Sequence, residues 1–281
     1  MMRLGMVRRN TKDRAGARSF STAWRRWGML LLSLVIAIGA LLAPPRSLLG
    51  KCDLVAYALC HRIPSHSFHL AGRQLPLCAR CSGTYLGALW GLFFMGVIRR
   101  RRASLLPPVP ILALLVGFFF LQAVDGLNSY LTLFPALPHL YEPHNLLRFA
   151  TGALNGLTIS ALVVPLFNSA LWHAPDPDPF IRGWQEMGVL LIGVGGLMAL
   201  ISTDSSALLY PLAVGSALAV ILLLTLVNTT IVVTVTGREG GAESWSQAWR
   251  PLLGGLGLSL LEMGALILLR GLVTHWLGFP S

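Results

Sequence analysis

Long apolar runs follow one another along the chain, each closed by prolines, glycines or a cluster of basic residues. The first expected span, Trp27 to Ala43, is stopped by Pro44-Pro45, and the second, Cys78 to Ile98, by Arg99-Arg100-Arg101-Arg102. The third follows Pro107, Pro108 and Pro110 and runs to about Asp125. The fourth covers Asn145 to Phe167, the fifth Gly183 to Ile201, the sixth Ala207 to Val235 and the seventh Pro251 to Val273. A helix of about 20 apolar residues crosses ~30 Å of hydrocarbon. The runs are continuous and lack the alternation of barrel strands, so helices are the way for them to satisfy their own backbone in lipid. The pattern predicts an all-α, polytopic transmembrane helix bundle of about seven spans.

Composition agrees: 54% of the 281 residues are hydrophobic, 12% are charged and the mean hydropathy is +0.67, where an ordinary soluble domain carries about 25% charged residues. The net charge of +11 would suggest nucleic acid in a soluble protein. Here it reports orientation instead, because Lys and Arg gather on cytoplasmic loops. With the N terminus inside, 15 basic residues fall on the cytoplasmic side: eight in the N-terminal tail, Arg99 to Arg102, Arg182, Arg238 and Arg250. Only Arg46, Lys51, Arg62 and Arg73 fall in outer loops, and Arg80, Arg148 and Arg270 lie near outer span ends. The orientation is therefore N-in, C-out. The partner so implied is the lipid bilayer, with no nucleic acid. Cleavage of the first span as a signal peptide is the lesser reading, since Pro44-Pro45 follows it directly. The chain divides into a basic tail (1–26), a front half rich in unusual polar residues (27–167), a Pro/Asp linker expected to be rigid and extended (168–182), and a plainer back half (183–281).

All four cysteines and three histidines lie between residues 52 and 81: Cys52, Cys60, His61, His66, His69, Cys78 and Cys81. Cys78-Ala79-Arg80-Cys81 can place two sulfurs on one tetrahedral metal, and Cys60 with a histidine would complete a closed Cys₃His shell, most naturally for zinc. Neighbours such as Cys60 and His61 do not easily share one ion, so His66 or His69 is an alternative to His61. The rival chemistry is redox. On the outer side disulfides persist, and Arg80 between the two sulfurs would favour a thiolate. Cys78/Cys81 would then pass electrons to a membrane quinone, with Cys52/Cys60 as a second pair. A structural disulfide, or a purely structural zinc knot, is the plain alternative.

Ionisable residues inside spans are costly and mark sites by default. Asp125 ends the third span and Asn128 follows it; Asn145, Arg148, Gly152, Asn155 and Gly156 share one face of the fourth. The expected topology brings Arg80, Asp125, Asn128, Asn145 and Arg148 to the depth of Cys78 and Cys81. Asp125 with Arg148 reads equally well as a structural ion pair. Gly83, Gly87 and Gly91 form a small-residue stripe on the second span, which suits close packing against the glycine face of the fourth. Glu262, inside the seventh span with Asn228 as a candidate partner, is a secondary site. His139 and His144 read as loop residues.

The strings Cys60-His61-Arg62-Ile63-Pro64-Ser65-His66-Ser67-Phe68, Gly72 and Leu75-Pro76-Leu77-Cys78-Ala79-Arg80-Cys81-Ser82-Gly83-Thr84-Tyr85-Leu86-Gly87 resemble the core of an uncharacterised prokaryotic membrane protein family, domain-of-unknown-function family 2085. Asp125-Gly126 and the Asn145, Arg148, Gly152, Gly156 pattern resemble it too, so the likeness covers about Cys52 to Leu166. It implies a place in a prokaryotic plasma membrane and no particular activity. The chain has no P-loop, G-x-S-x-G or H-E-x-x-H motif. Three functions fit the residues: an extracytoplasmic Cys/His metal site, a quinone-coupled thiol oxidoreductase, and a non-catalytic membrane scaffold.

Overall fold

The computed structural model describes residues 28, 31–132, 134 and 138–277. The basic tail (1–26) and Trp27, where the first span is expected to begin, lie outside them. The described helices are α1 (Leu31–Leu42), α2 (Leu48–Leu59), α3 (Ala79–Val97), α4 (Val109–Leu131), α5 (Asn145–Leu171), α6 (Trp184–Ser202), α7 (Leu209–Val235) and α8 (Trp245–Leu277). Five of these, α4 to α8, are long and apolar enough to cross a membrane, against about seven spans expected. The described part of the first span is a 12-residue helix, Leu31–Leu42. The second span, α3, is long enough at 19 residues, but Arg80, Ser82, Thr84 and Tyr85 crowd its first turns and four glycines dilute its apolar content. Its glycine-bearing face is buried against its neighbours, while Phe93 and Val97 near its end are exposed.

Local sequence explains the helix ends. Ser47 caps α2 by accepting from Gly50 N at 3.2 Å. Pro108 and Pro110 open α4, where the first turn needs no backbone donors. His144 caps α5, its Nδ1 accepting from Leu147 N at 3.3 Å. The third span is expected to end near Asp125, yet α4 continues to Leu131. Asp125 is thus held within the helix, at a turn still enclosed by α3 and α5.

The tightest pairing is α3 on α5. A Cβ at Gly83 would strike the Phe149 carbonyl, and one at Gly87 the Ala153 backbone. From the other side, a Cβ at Gly152 would strike the Arg80 carbonyl and one at Gly156 the Thr84 carbonyl. The two glycine stripes therefore let backbone lie on backbone, the close approach that replaces hydrophobic driving force within lipid.

The two ends of the bundle differ. At one end the turn after α3 pairs with the segment after α5. β3 (Ala103–Leu105) runs parallel to β4 (Asp176–Pro179), Arg100 Nη1 donates to the Pro179 carbonyl at 2.9 Å, and Arg100 also pairs with Glu186. Arg102 donates to the Glu243 carbonyl at 3.2 Å and stacks on Trp172, 4.1 Å from its ring centroid. The expected extended linker (168–182) begins as helix, since α5 continues to Leu171; only the part beyond it is extended, and this is bound into the rim, with Phe180 and Ile181 fully buried. The polar residues of the front half occupy the opposite end.

If α3 and α5 meet backbone to backbone, Gly87→Ala should lower stability by about 1–3 kcal/mol through overpacking. Gly117→Ala, where a Cβ meets no atom within 4 Å, should be near neutral. Unfolding of the two detergent-solubilised variants, compared with the parent chain, measures the difference.

Candidate functional site

The segment from Cys60 to Cys78 folds back over the end of α2. Cys60 leaves helical geometry (φ −124°, ψ 144°) while its N–H still bonds to the Ala56 carbonyl. Arg62 then turns the chain sharply at φ 55°. A 3-10 turn (Pro64–His66) leads into a hairpin of β1 (His69–Leu70) and β2 (Arg73–Gln74). Its two-residue loop, Ala71-Gly72, has φ of 50° and 75°, the left-handed pair that a tight hairpin favours.

Side chains from distant parts of the chain lock this loop. Asp53 of α2 accepts from Arg62 through Oδ1 and from Arg73 through Oδ2, each at 2.7 Å. Gln74 Nε2 donates to the Arg62 carbonyl and to Ser67 Oγ, both at 3.0 Å. Arg270 of α8 donates to the carbonyls of Tyr57 (2.7 Å), Cys60 (2.5 Å) and His61 (3.4 Å), with its guanidinium 4.3 Å from the Tyr57 ring centroid. A cation at the carbonyl end of α2 also complements the helix dipole.

Three sulfurs meet inside this frame. Cys78 N donates to Cys60 Sγ at 3.3 Å, and Cys81 packs against the same cluster. The neighbouring Cys78 and Cys81 thiols hold the Cys60 thiol well below its ordinary pKa, overcoming the opposing effect of burial. Ligand atoms of Cys60, His61 and Cys78 all lie within 4.8 Å of one another. All four cysteines are free thiols.

His61 is the histidine in this cluster, although its adjacency to Cys60 argued for a substitute. The reason is the turn at Arg62, which carries the chain away and leaves the His61 ring beside the sulfurs. His66 stands behind it, edge-on with ring centroids 5.6 Å apart, its pKa lowered by burial and then by the Arg148 charge. His69 is exposed on β1, opposite Gln74. Cys52 is buried in α2, its thiol pushed up by burial. Eight residues separate it from Cys60, about 12 Å at the helical rise of 1.5 Å per residue, so the expected second cysteine pair is not assembled.

Beside the sulfurs runs an ion-pair network. Arg80 is the partner of Asp125, and the pairing of Asp125 with Arg148 is thereby corrected. Arg80 Nε donates to Asp125 Oδ2 at 3.1 Å, and Nη2 bonds the same oxygen, the Asp125 carbonyl (3.1 Å) and Ser129 Oγ (2.9 Å). Asp125, 1% exposed, also accepts from Tyr141 Oη at 2.8 Å and Thr151 Oγ1 at 3.3 Å. Burial, and then the bond to Asp125, raises the Tyr141 hydroxyl to about 12. Arg148 instead donates to Asn145 Oδ1 at 2.8 Å and Ser129 Oγ at 3.4 Å. Asn145 Nδ2 reaches the carbonyls of Ser65 (3.2 Å) and Ser67 (3.1 Å), tying α5 to the cysteine loop. Asn128 donates to the Tyr141 carbonyl at 2.8 Å and accepts from Leu140 N at 2.6 Å. Arg80 is therefore committed to a carboxylate on the α4 side, whereas Cys81 packs with Ala56 and Val220 on the side of α2 and α7.

Residues 80, 125, 128, 145 and 148 do share one rim with the cysteines. Glu262 does not: it accepts from Asn228 Nδ2 at 2.7 Å, between α7 and α8, about two turns from Arg270. His139 pairs with Glu142 at 2.9 Å, away from the cluster. Asp53, Ser129, Tyr141 and Arg270 are parts of the site that the sequence did not single out. Asp53 had a signal in being the lone acid beside the cysteine segment. Arg270 had only its place near an outer span end, being 210 residues from its main acceptor at Cys60.

A family model described as "Predicted membrane protein (DUF2085)" matches residues 60–162. An uncharacterized protein of Methanocaldococcus jannaschii is 31% identical over 152 residues, covering 50% of this chain and 90% of that one. An uncharacterized protein of Methanothermobacter thermautotrophicus is 30% identical over 104 residues, covering 37% of this chain and 83% of that one. No solved structure matches.

Removing the buried carboxylate should expose the role of the network. Asp125→Asn leaves the Arg80 guanidinium without its counter-charge and should destabilise by about 3–5 kcal/mol. Arg80→Gln combined with Asp125→Asn should recover part of that loss. A double-mutant cycle on unfolding free energies checks both statements.

Proposed function

The chain belongs to the DUF2085 family of predicted membrane proteins, and from that premise we propose that Cys60, His61, Cys78 and Cys81 hold one zinc ion at the rim of an integral membrane helix bundle. The observation that carries this reading is the convergence of ligand atoms of Cys60, His61 and Cys78 within 4.8 Å, with Cys81 packed against the same cluster. Zn–S bonds of about 2.3 Å set sulfurs about 3.8 Å apart around a tetrahedral ion, so a small inward movement of side chains completes the shell. His61 must change its hydrogen bonding to take part. Its Nδ1 now accepts from Ile63 N at 3.0 Å, and a neutral imidazole has one free lone pair. Binding through either nitrogen therefore gives up the Ile63 bond.

Four protein ligands make a closed shell, which suits a structural or metal-holding role better than activation of water. Zinc there braces the end of α2 against the start of α3, the helix that positions Arg80. The positive-inside asymmetry puts this rim on the outer face of a prokaryotic plasma membrane.

The contact of Cys78 with Cys81 supports a second reading, thiol–disulfide exchange. The two thiols would form a disulfide and pass two electrons and two protons to a membrane quinone, giving the quinol. The separation of Cys52 from Cys60 removes the relay pair that this chemistry would use, and of the exchanging thiols Cys78 is 2% exposed and Cys81 half-buried. The remaining reading is a membrane scaffold without bound metal.

Elemental analysis of the full chain, purified in detergent under reducing conditions, should find one zinc per chain. Cys60→Ser and Cys78→Ser should lose it, while Cys52→Ser keeps it. Absence of metal together with ready maleimide labelling of all four thiols refutes the zinc site. A Cys78–Cys81 disulfide that re-forms on adding a quinone would transfer the assignment to redox.

A further inference from the structure

On the far side of α3 from the sulfurs lies a cavity of about 250 Å³ lined by Arg80, Phe119, Gln122, Ala123, Gly126 and Asn155. One water takes about 30 Å³ of liquid, so the space suits a chemical group of several heavy atoms. Two features set it apart from a packing defect. Asn155 is 7% exposed and its Oδ1 has no hydrogen-bond partner among the described residues. Gln122 Oε1, on the same wall, has none either. A buried polar atom left unpaired costs about 1–3 kcal/mol, and the two residues that hold such atoms both line this cavity, which suits a ligand that serves both.

The lining also dictates what that ligand carries. Arg80 spends Nε and Nη2 on Asp125 and Ser129, which leaves Nη1 beside Gly126 at the cavity wall. A guanidinium nitrogen donates only, so it asks for an acceptor, best an oxyanion. The amide oxygens accept, so they ask for donors. An ammonium donor would sit against the Arg80 charge, whereas hydroxyl donors would not. Access is lateral: Phe119 is 54% exposed and Ala123 is exposed on the outer face of α4, which runs through the apolar zone.

We propose that this cavity takes the headgroup of an anionic phospholipid whose head bears hydroxyls, such as phosphatidylglycerol, with the phosphodiester on Arg80 and the hydroxyls on Gln122 and Asn155. A guanidinium N–H donates to phosphate oxygens through short, charge-assisted hydrogen bonds. The acyl chains lie along α4 past Phe119. The site does not depend on zinc, because it opens on the α4 side of α3.

Thermal unfolding of the full chain in detergent, titrated with short-chain phosphatidylglycerol, tests the assignment. A saturable rise in midpoint is expected, with little response to phosphatidylcholine or phosphatidylethanolamine of the same chain length. Asn155→Leu should be at least as stable as the parent without lipid, since it removes an unpaired buried acceptor. It should need about tenfold more phosphatidylglycerol for the same half-effect, the loss of about one good hydrogen-bonding partner. Gln122→Leu, at a more open position, should do the same and serves if Asn155→Leu does not fold. Equal response to all three lipids, or an unchanged response in the variants that fold, overturns the proposal. Equal stabilisation by free glycerol 1-phosphate overturns the lipid source.

Discussion

The backbone-on-backbone contact of α3 with α5 is the constraint on which the remaining architecture depends. Glycines at 83, 87, 152 and 156 set the two helices closer than any side chain would allow. The Arg80 carbonyl then lies against Gly152 and the Thr84 carbonyl against Gly156, fixing both the depth and the rotation of α3. With that rotation fixed, Arg80 turns to Asp125 on α4, and Cys81 turns to α2 and α7. One helix thus separates two chemistries, sulfur on one side and ion pairing on the other, a single residue apart in sequence.

Much of this was legible in the residues because the relevant signals are periodic. Glycines spaced by four lie on one helical face, and Asn145, Arg148 and Gly152 share a face for the same reason. Alternating spans were enough to bring residues 80, 125 and 148 to one rim. Which arginine pairs with Asp125 was not legible. Arg80 and Arg148 are both at the right depth, and the choice rests on helix rotation, which small residues set by shape and not by sequence period. The choice of His61 over His66 and His69 was hidden similarly, in the turn at Arg62 with its positive φ. The length of α4 beyond Asp125 was hidden because the run Gly126-Leu127-Asn128-Ser129 reads as polar relief from an apolar span, although its polar side chains face inward and are satisfied by Tyr141 and Arg148.

Front and back halves are joined more closely than their composition suggests. The matched family region stops at residue 162, yet α7 shares the cluster around Cys60 and Cys78 through Val220, and α8 supplies Arg270 to the same loop. At the opposite rim β4 and Arg102 tie the linker and the turn before α8 to the end of α3. The plain apolar helices of the back half therefore hold the distinctive segment of the front half at both ends.

The Arg270 clasp also has a timing consequence during biosynthesis. Its acceptor at Cys60 precedes it by 210 residues, and a ribosome adding about 5–20 residues per second takes on the order of 10–40 s to cover that distance. For that interval the nascent thiols meet the environment of their compartment with the final clasp still unmade. The loop that carries them is closed only when the last helix arrives.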